Sequence, residues 1–355
     1  MLNHPHPIPY HNIEWQRVYR LATEQSVLGL VLSGLELSDV KPQKELLLQW
    51  IGEVQIIEQR NKEMNAFIAE LIGSLRKADI YTLLVKGQGV AQCYERPLWR
   101  SSGDIDLLLS QESYEKAKDV LLPLASNVEK EDIHSKHQGM AISNWMVELH
   151  GLLYSSLSTK ISKVLEEITN DTFYGGNVRC WSNGGVPVFL LAIENDIIYT
   201  FYHFFGHFYK GGIGLRQICD WCRLLWSYRD SIDVALLEQR LRKMGLMSEW
   251  KVFGTFAVEY LGMPLEAMPF YSSYARWSEK AEKIKDFVME VGNFGHNRDM
   301  SYYENKPFIV RKAISFKQRV SDLFRHARIF PVNSLRFFWG ITVNGVYAAM
   351  VKDKR

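Results

Sequence analysis

Apolar residues recur at helical spacing from about Asn12 to Lys77 with few breakers, which predicts an N-terminal segment of several helices. The pattern changes at residues 80–85, a β-branched and aromatic run ending in Lys86-Gly87, which reads as a buried strand followed by a turn. A second strand is predicted at Asp104–Leu109. Ser110 then caps a helix that opens on Gln111 and Glu112 and continues through Leu122. Further strands are expected at residues 139–143 and at Trp145–His150, with Ser143-Asn144 as a tight hairpin connection, so the sheet should be mixed. From Val188 onward the chain is expected to be helical. Residues 189–209 are unusually aromatic, 215–226 follow a Gly211-Gly212 breaker, and helical spacing recurs to about Phe294. The expected fold class is α+β, a small mixed-sheet core embedded in a mostly helical chain. Its expected divisions are a helical segment over 1–77, the α/β core over 78–155, a helical domain over 156–300 and a C-terminal unit over 301–355.

Composition changes this picture little: 47% hydrophobic and 23% charged residues in 355 exclude disordered, collagen-like and disulfide-scaffold classes. Charge changes it more. The 42 basic and 40 acidic side chains leave only +2, which argues against a bulk polyanion binder. Yet residues 308–355 hold ten Lys and Arg against two acids, a surplus of eight, which leaves −6 on the rest. Phe316, Val320, Leu323, Phe324 and Ala327 fall on one helical face there, ringed by Lys312, Lys317, Arg319, Arg325 and Arg328. Docking of this basic amphipathic helix on the acidic remainder is expected, through Phe337, Phe338, Trp339, Ile341, Val343 and Val346. Peripheral attachment to an anionic membrane is the alternative, and no nucleic-acid recognition motif is present. The uncharged stretch 337–351 has fifteen residues, short of the about 20 that a spanning helix needs. Only four cysteines and no signal-peptide pattern at the N-terminus make a cytoplasmic location the expectation.

The chemistry concentrates around the second strand. Alternate residues of a strand share a face, so Asp104 and Asp106 project together while Ile105 and Leu107 point to the core. Two carboxylates so close need a compensating cation, and such hard oxygen ligands suit Mg2+ or Mn2+. A solvated strand edge is the competing reading of the pair. Glu148, framed by apolar residues, can complete a three-acid site, and His150 shares its face at the margin. Gly87 follows a strand directly, where a phosphate can approach the backbone, with Lys86 as a point charge beside it; a plain turn is the alternative. The acids are expected to be exposed, so that losing the Asp106 charge should leave the fold intact or even relieve repulsion.

These residues resemble a known family, the uncharacterised nucleotidyltransferases within the polymerase-β-like nucleotidyltransferase superfamily. The likeness runs through Leu84-Val85-Lys86-Gly87, Tyr94, Pro97, Arg100, Gly103-Asp104-Ile105-Asp106-Leu107-Leu108 and Glu148-Leu149-His150. Where the wider superfamily usually has Ser after the turn glycine, this chain has Gln88, with Lys86 before the glycine as in the narrower family. The resemblance implies two-metal phosphoryl chemistry at Asp104, Asp106 and Glu148. A nucleoside triphosphate would be the donor and an unidentified hydroxyl of a small molecule or protein the acceptor. A non-catalytic nucleotide-binding module that keeps the fold is the alternative. Lys86 and Arg100 become candidates for neutralising phosphate charge, Arg100 equally for a structural salt bridge. The likeness also makes His203, His207, Arg216 and Asp220 candidates for the wall of the nucleotide or acceptor pocket.

His203 and His207 at i and i+4, with Cys219 and Cys222 downstream, permit a Cys2His2 zinc site to be written. Their regular, aromatic-rich helices lack the knuckle or finger context of such sites. Buried packing is therefore expected instead, and Tyr199, Phe201, Tyr202 and Phe208 should be core.

Overall fold

The computed structural model of the chain describes residues 13–133, 135–292 and 308–340. Three helices come first, α1 (Trp15–Glu24), α2 (Leu28–Glu36) and α3 (Lys44–Lys77), as the helical spacing predicts. Along α3 the buried positions include Trp50, Val54, Asn61, Met64, Ile68, Leu71, Ile72 and Leu75, one stripe that must face a core. That core is a sheet.

The chain enters the sheet at β1 (Thr82–Val85), turns through the short helix α4 (Gly87–Ala91), and returns as β2 (Asp104–Leu109). Helix α5 (Gln111–Leu121) follows, capped as expected by the Ser110 hydroxyl, which accepts from the Ser113 backbone N–H at 3.2 Å. Then come β3 (Ala125–Val128), β4 (His137–Ile142), β5 (Trp145–His150), α6 (Thr159–Phe173), β6 (Val178–Asn183) and β7 (Val186–Leu191). The seven strands lie in the order β3-β4-β5-β2-β1-β7-β6. Pairs β2–β5 and β1–β7 are parallel and the others antiparallel, so the sheet is mixed.

Two expectations need correction. Helix was expected from Val188, yet residues 186–191 form a strand and the helix α7 (Ile193–Lys210) starts later, followed by α8 (Leu215–Tyr228). Strand β7 is enclosed between β1 and β6, and a short apolar run looks the same in an enclosed strand as in a buried helix. With β6 and β7 the sheet also extends beyond 78–155, the limits expected for it. Strand β3, at the sheet edge, is mostly exposed and carries no alternating pattern to announce it.

One sheet face is apolar. Leu84, Ile105, Leu107, Leu109, Val147 and Leu149 pack with Met64, Ile68, Leu71 and Leu75 of α3 and with Tyr114, Ala117 and Leu121 of α5. Burial of this face fixes the strand register, since a slip of one residue would turn every side chain over. The polar residues of β2 and β5 are thereby committed to the other face.

The chain divides into two compact units. The first comprises Met1–Leu153, Glu166–Thr200 and Cys219–Asp233; the second comprises Tyr154–Leu165, Phe201–Ile218 and Val234–Arg355. The sheet belongs to the first. In the second, α9 (Val234–Met244), α10 (Met247–Leu261), α11 (Ala275–Val291), α12 (Phe308–Ala327) and a helix at 331–340 accompany an aromatic core. Phe201, Phe204, Phe205 and Phe208 pack against Phe253 at ring separations of 5.1–6.4 Å. Phe201 and Phe208 are thus core, as are the buried Tyr199 and Tyr202.

The basic helix is present as α12, but Phe324, expected on its apolar face, is exposed. Apolar anchoring lies further on, where the buried Phe337 packs against Phe205 at 5.9 Å and Tyr209 at 5.1 Å. Trp339 is exposed. Ile341, Val343 and Val346, and the side chain of Phe316, lie outside the described residues. Among the described residues no helix is long and apolar enough to cross a membrane. Phe337→Ala is expected to cost about 3–5 kcal/mol, the usual range for emptying a buried aromatic site. Thermal unfolding of the variant checks this, and an unchanged midpoint would show that Phe337 is not an anchor.

Candidate active site

Strand β2 lies between β5 and β1, and its parallel register with β5 sets Asp106 opposite Glu148 and Asp104 opposite Met146. Because side chains alternate, Asp104, Asp106 and Glu148 project from the face opposite the apolar core. Their carboxylate oxygens come within 4.8 Å of one another, so the three acids expected together are together. The β4–β5 hairpin adds its own register, with Gly139 opposite Glu148 and His137 opposite His150. His137 is a site residue that the sequence reading did not include.

The acids are less open than expected. The Asp106 side chain is 1% exposed, covered by two cations of the chain itself. Lys86 Nζ lies 2.7 Å from Asp106 Oδ1, and His150 Nε2 lies 2.9 Å from the same oxygen. Glu148 Oε2 is 3.1 Å from His137 Nε2 and 3.6 Å from His150 Nε2. The compensating cation that the carboxylates demand is thus first supplied by Lys86 and His150.

Burial opposes every charge in this cluster, and the partners outweigh it. On Lys86 burial pulls the ammonium down, but the carboxylates of Asp106 and Asp104 hold it above its ordinary value. Burial raises the Asp106 carboxyl, whereas Lys86 and the His150 hydrogen bond bring it below its ordinary value. Glu148 behaves likewise, burial being overcome by hydrogen bonds from His137 and His150. Burial lowers His150, and its bonds to Asp106 and Glu148 reverse the shift, so the imidazolium is favoured. Tyr199 is pushed up to about 12, chiefly by burial, and stays a neutral phenol.

Lys86 reaches Asp106 because the chain leaves β1 through an unusual turn. Lys86 has φ +58° and Gly87 φ +43°, both in the left-handed region. For a side-chain-bearing residue such a conformation costs on the order of 1–3 kcal/mol and persists only where the surroundings enforce it. At Gly87 the dihedral itself, rather than lack of space, calls for glycine, because an added Cβ would stand 3.5 Å from the Asp104 carbonyl oxygen.

Arg100 has a different partner from the one a phosphate role needs. Its Nε and Nη2 donate to Asp220 Oδ1 and Oδ2, both at 2.7 Å, in a buried two-pronged pair that Tyr94 joins through its hydroxyl at 2.8 Å. Nη1 donates to the Ser102 hydroxyl at 2.9 Å. Gln88, standing where the superfamily usually has Ser, is buried and donates to Asn61 Oδ1 at 2.7 Å. Asn61 in turn donates to the carbonyls of Leu98 and Arg100, each at 2.7 Å. This polar net ties α3 to the segment that leads into β2. It holds the Asp-x-Asp strand in place.

The remaining candidates lie elsewhere in the chain. His203 and His207 pair with each other in the second unit, Nε2 to Nε2 at 3.0 Å, and Arg216 is half-buried in the same unit. Cys219 and Cys222 are buried in the first unit; burial pushes the Cys219 thiol up to about 12 and Cys222 upward too, which disfavours the thiolate that zinc requires.

Among the described residues, two groups of side chains could hold a metal ion: Asp104 with Asp106 and Glu148, and His137 with Glu148 and His150. The first offers three hard oxygen donors and fits Mg2+ or Mn2+ chemistry. No curated protein and no solved structure matches the chain. A family described as uncharacterised nucleotidyltransferase matches residues 11–262, a span that holds the whole sheet and all three acids, and the chain belongs to that family.

Proposed function

We propose that the chain is a metal-dependent nucleotidyltransferase that moves a nucleoside monophosphate from a nucleoside triphosphate to a hydroxyl of a small molecule or protein. The convergence of Asp104, Asp106 and Glu148 on one face of β2 and β5 carries this reading, together with the family. In the reaction the acceptor oxygen forms a bond to the α-phosphorus while the bond to the β-phosphate oxygen breaks, releasing pyrophosphate and the hydroxyl proton. Divalent ions, Mg2+ or Mn2+, would neutralise triphosphate charge and lower the pKa of the acceptor hydroxyl. Asp104, Asp106 and Glu148 would hold the ions. Lys86 exchanges Asp106 for the triphosphate when the site fills, and His150 keeps Asp106 and Glu148 ionised and oriented. Arg100 and Asp220 position the approach to β2 and do not contact phosphate.

The exchange of Lys86 gives a separable prediction. Lys86→Met removes the ammonium that competes for Asp106, so metal affinity should rise by about tenfold while triphosphate transfer falls. Calorimetric titration of Mg2+ into both proteins reads the first effect. Weaker Mg2+ binding by the variant would show that Lys86 does not compete with the ion. The reading as a whole is tested by screening acceptors with α-labelled triphosphates and Mg2+, with pyrophosphate release recorded in parallel. Label transfer that needs the metal is expected. Metal-dependent triphosphate binding without transfer to any acceptor, or to water, would favour a non-catalytic nucleotide-binding module.

A further inference from the structure

We propose that His137, Glu148 and His150 form a second metal site, one that takes a divalent transition ion such as Zn2+ or Mn2+ and shares Glu148 with the three acids. The ligand atoms of these residues lie within 4.8 Å of one another. Both imidazoles present Nε2 to one oxygen, Glu148 Oε2, at 3.1 and 3.6 Å, and their rings sit 4.7 Å apart. Tetrahedral zinc with bonds of about 2.0–2.1 Å places its donor atoms roughly 3.3 Å from one another, between those two separations. Each imidazole nitrogen is thus close to the spacing from Glu148 that a shared ion would set.

The backbone explains why. His137 and His150 are direct cross-strand partners in the β4–β5 hairpin, and Glu148 is two residues from His150 on the same face. All three sit on strands rather than loops, which limits the drift of each donor. The donor set also distinguishes the two groups. Mg2+ seeks oxygen in near-octahedral geometry, whereas two imidazoles and a carboxylate suit zinc, manganese or iron and leave a coordination position open. An ion there replaces the contacts of the two Nε2 atoms with Glu148 and displaces the hydrogen bond that His150 Nε2 makes with Asp106 Oδ1 at 2.9 Å. The inference concerns ion binding alone and stands whether or not nucleotidyl transfer does.

The test uses the full chain stripped of metal and titrated with Co2+, a spectroscopic probe for a zinc site, followed by displacement with Zn2+. One ion with a visible absorption band typical of low coordination number is expected per chain, apart from any ion held by the three acids. His137→Gln should weaken binding by about 100-fold or more, since a lost ligand costs more than the ~10–100-fold of a lost outer partner. Asp104→Asn, which lies outside the histidine group, should change it less than threefold. X-ray absorption of the zinc-loaded unmodified chain gives a readout independent of any variant's folding, and two imidazole nitrogens are expected. Absence of stoichiometric binding, or a zinc shell without imidazole, overturns the proposal. So does loss of cobalt in Asp104→Asn but not in His137→Gln, which would put the ion among the three acids and leave the transferase reading standing. Failure of that reading would appear separately, as triphosphate binding that does not need Mg2+.

Discussion

Asp106→Asn is expected to reduce metal-dependent pyrophosphate release by three orders of magnitude or more. Asp106 lies opposite Glu148 and two residues from Asp104 on the same strand, and losing its charge would remove a proposed metal ligand whose contribution to transition-state charge stabilisation is about 4 kcal/mol, which corresponds to about a thousandfold in rate. The same substitution should also destabilise the metal-free protein. An exposed carboxylate would have been dispensable, as expected from the sequence, but Asp106 is buried beneath Lys86 and His150. Its loss leaves a buried ammonium facing a neutral amide, a change of about 3 kcal/mol. Denaturant unfolding of the variant reads this. A stability equal to that of the unmodified chain would show that Lys86 is not held by Asp106 in solution.

Arg100→Met should have the largest effect on stability of any polar substitution considered, about 3–5 kcal/mol, because it strands the buried Asp220 without its guanidinium. Both side chains of the pair are under a tenth exposed, at 5% and 8%, so solvent does not rescue the survivor. The double variant Arg100→Met with Asp220→Leu should recover most of the loss, since breaking a buried pair costs far more than replacing it whole. Thermal unfolding of the two single variants and the double variant gives the coupling. If the single substitution is tolerated without loss, the pair does not anchor β2, and Arg100 becomes available for phosphate.

The legible parts of the fold were those with a period. Strands β2 and β5 alternate acid with apolar residues, Ser110 marks the start of α5, and Ser143-Asn144 marks the hairpin, with Ser143 at φ +54°. The three acids could be found because period two puts them on one face. His137 was within reach by the same rule: counting back from the Ile142–Trp145 pair sets it opposite His150. It escapes the sequence pattern because Gly139 locally weakens the strand signal, so the pattern starts two residues late. Strands β6 and β7 escaped for another reason. The apolar run of β7 has no polar face to betray its period, and only pairing with β1 and β6 decides strand over helix, while β6 is an edge strand whose residues are mostly exposed or half-buried. The partners of Lys86 and Arg100 were not legible in principle, because the choice between phosphate, Asp106 and Asp220 is made by tertiary placement rather than by spacing.

Asp104, Asp106 and Glu148 are proposed to hold divalent ions for a triphosphate. Equilibrium binding of a nucleoside triphosphate with a non-hydrolysable α,β bridge, measured with Mg2+ and with chelator, tests it most directly. Binding should require Mg2+ and should be lost in Asp104→Asn and Glu148→Gln while both variants remain folded. Binding of equal strength in chelator, or binding unchanged in those variants, would contradict it.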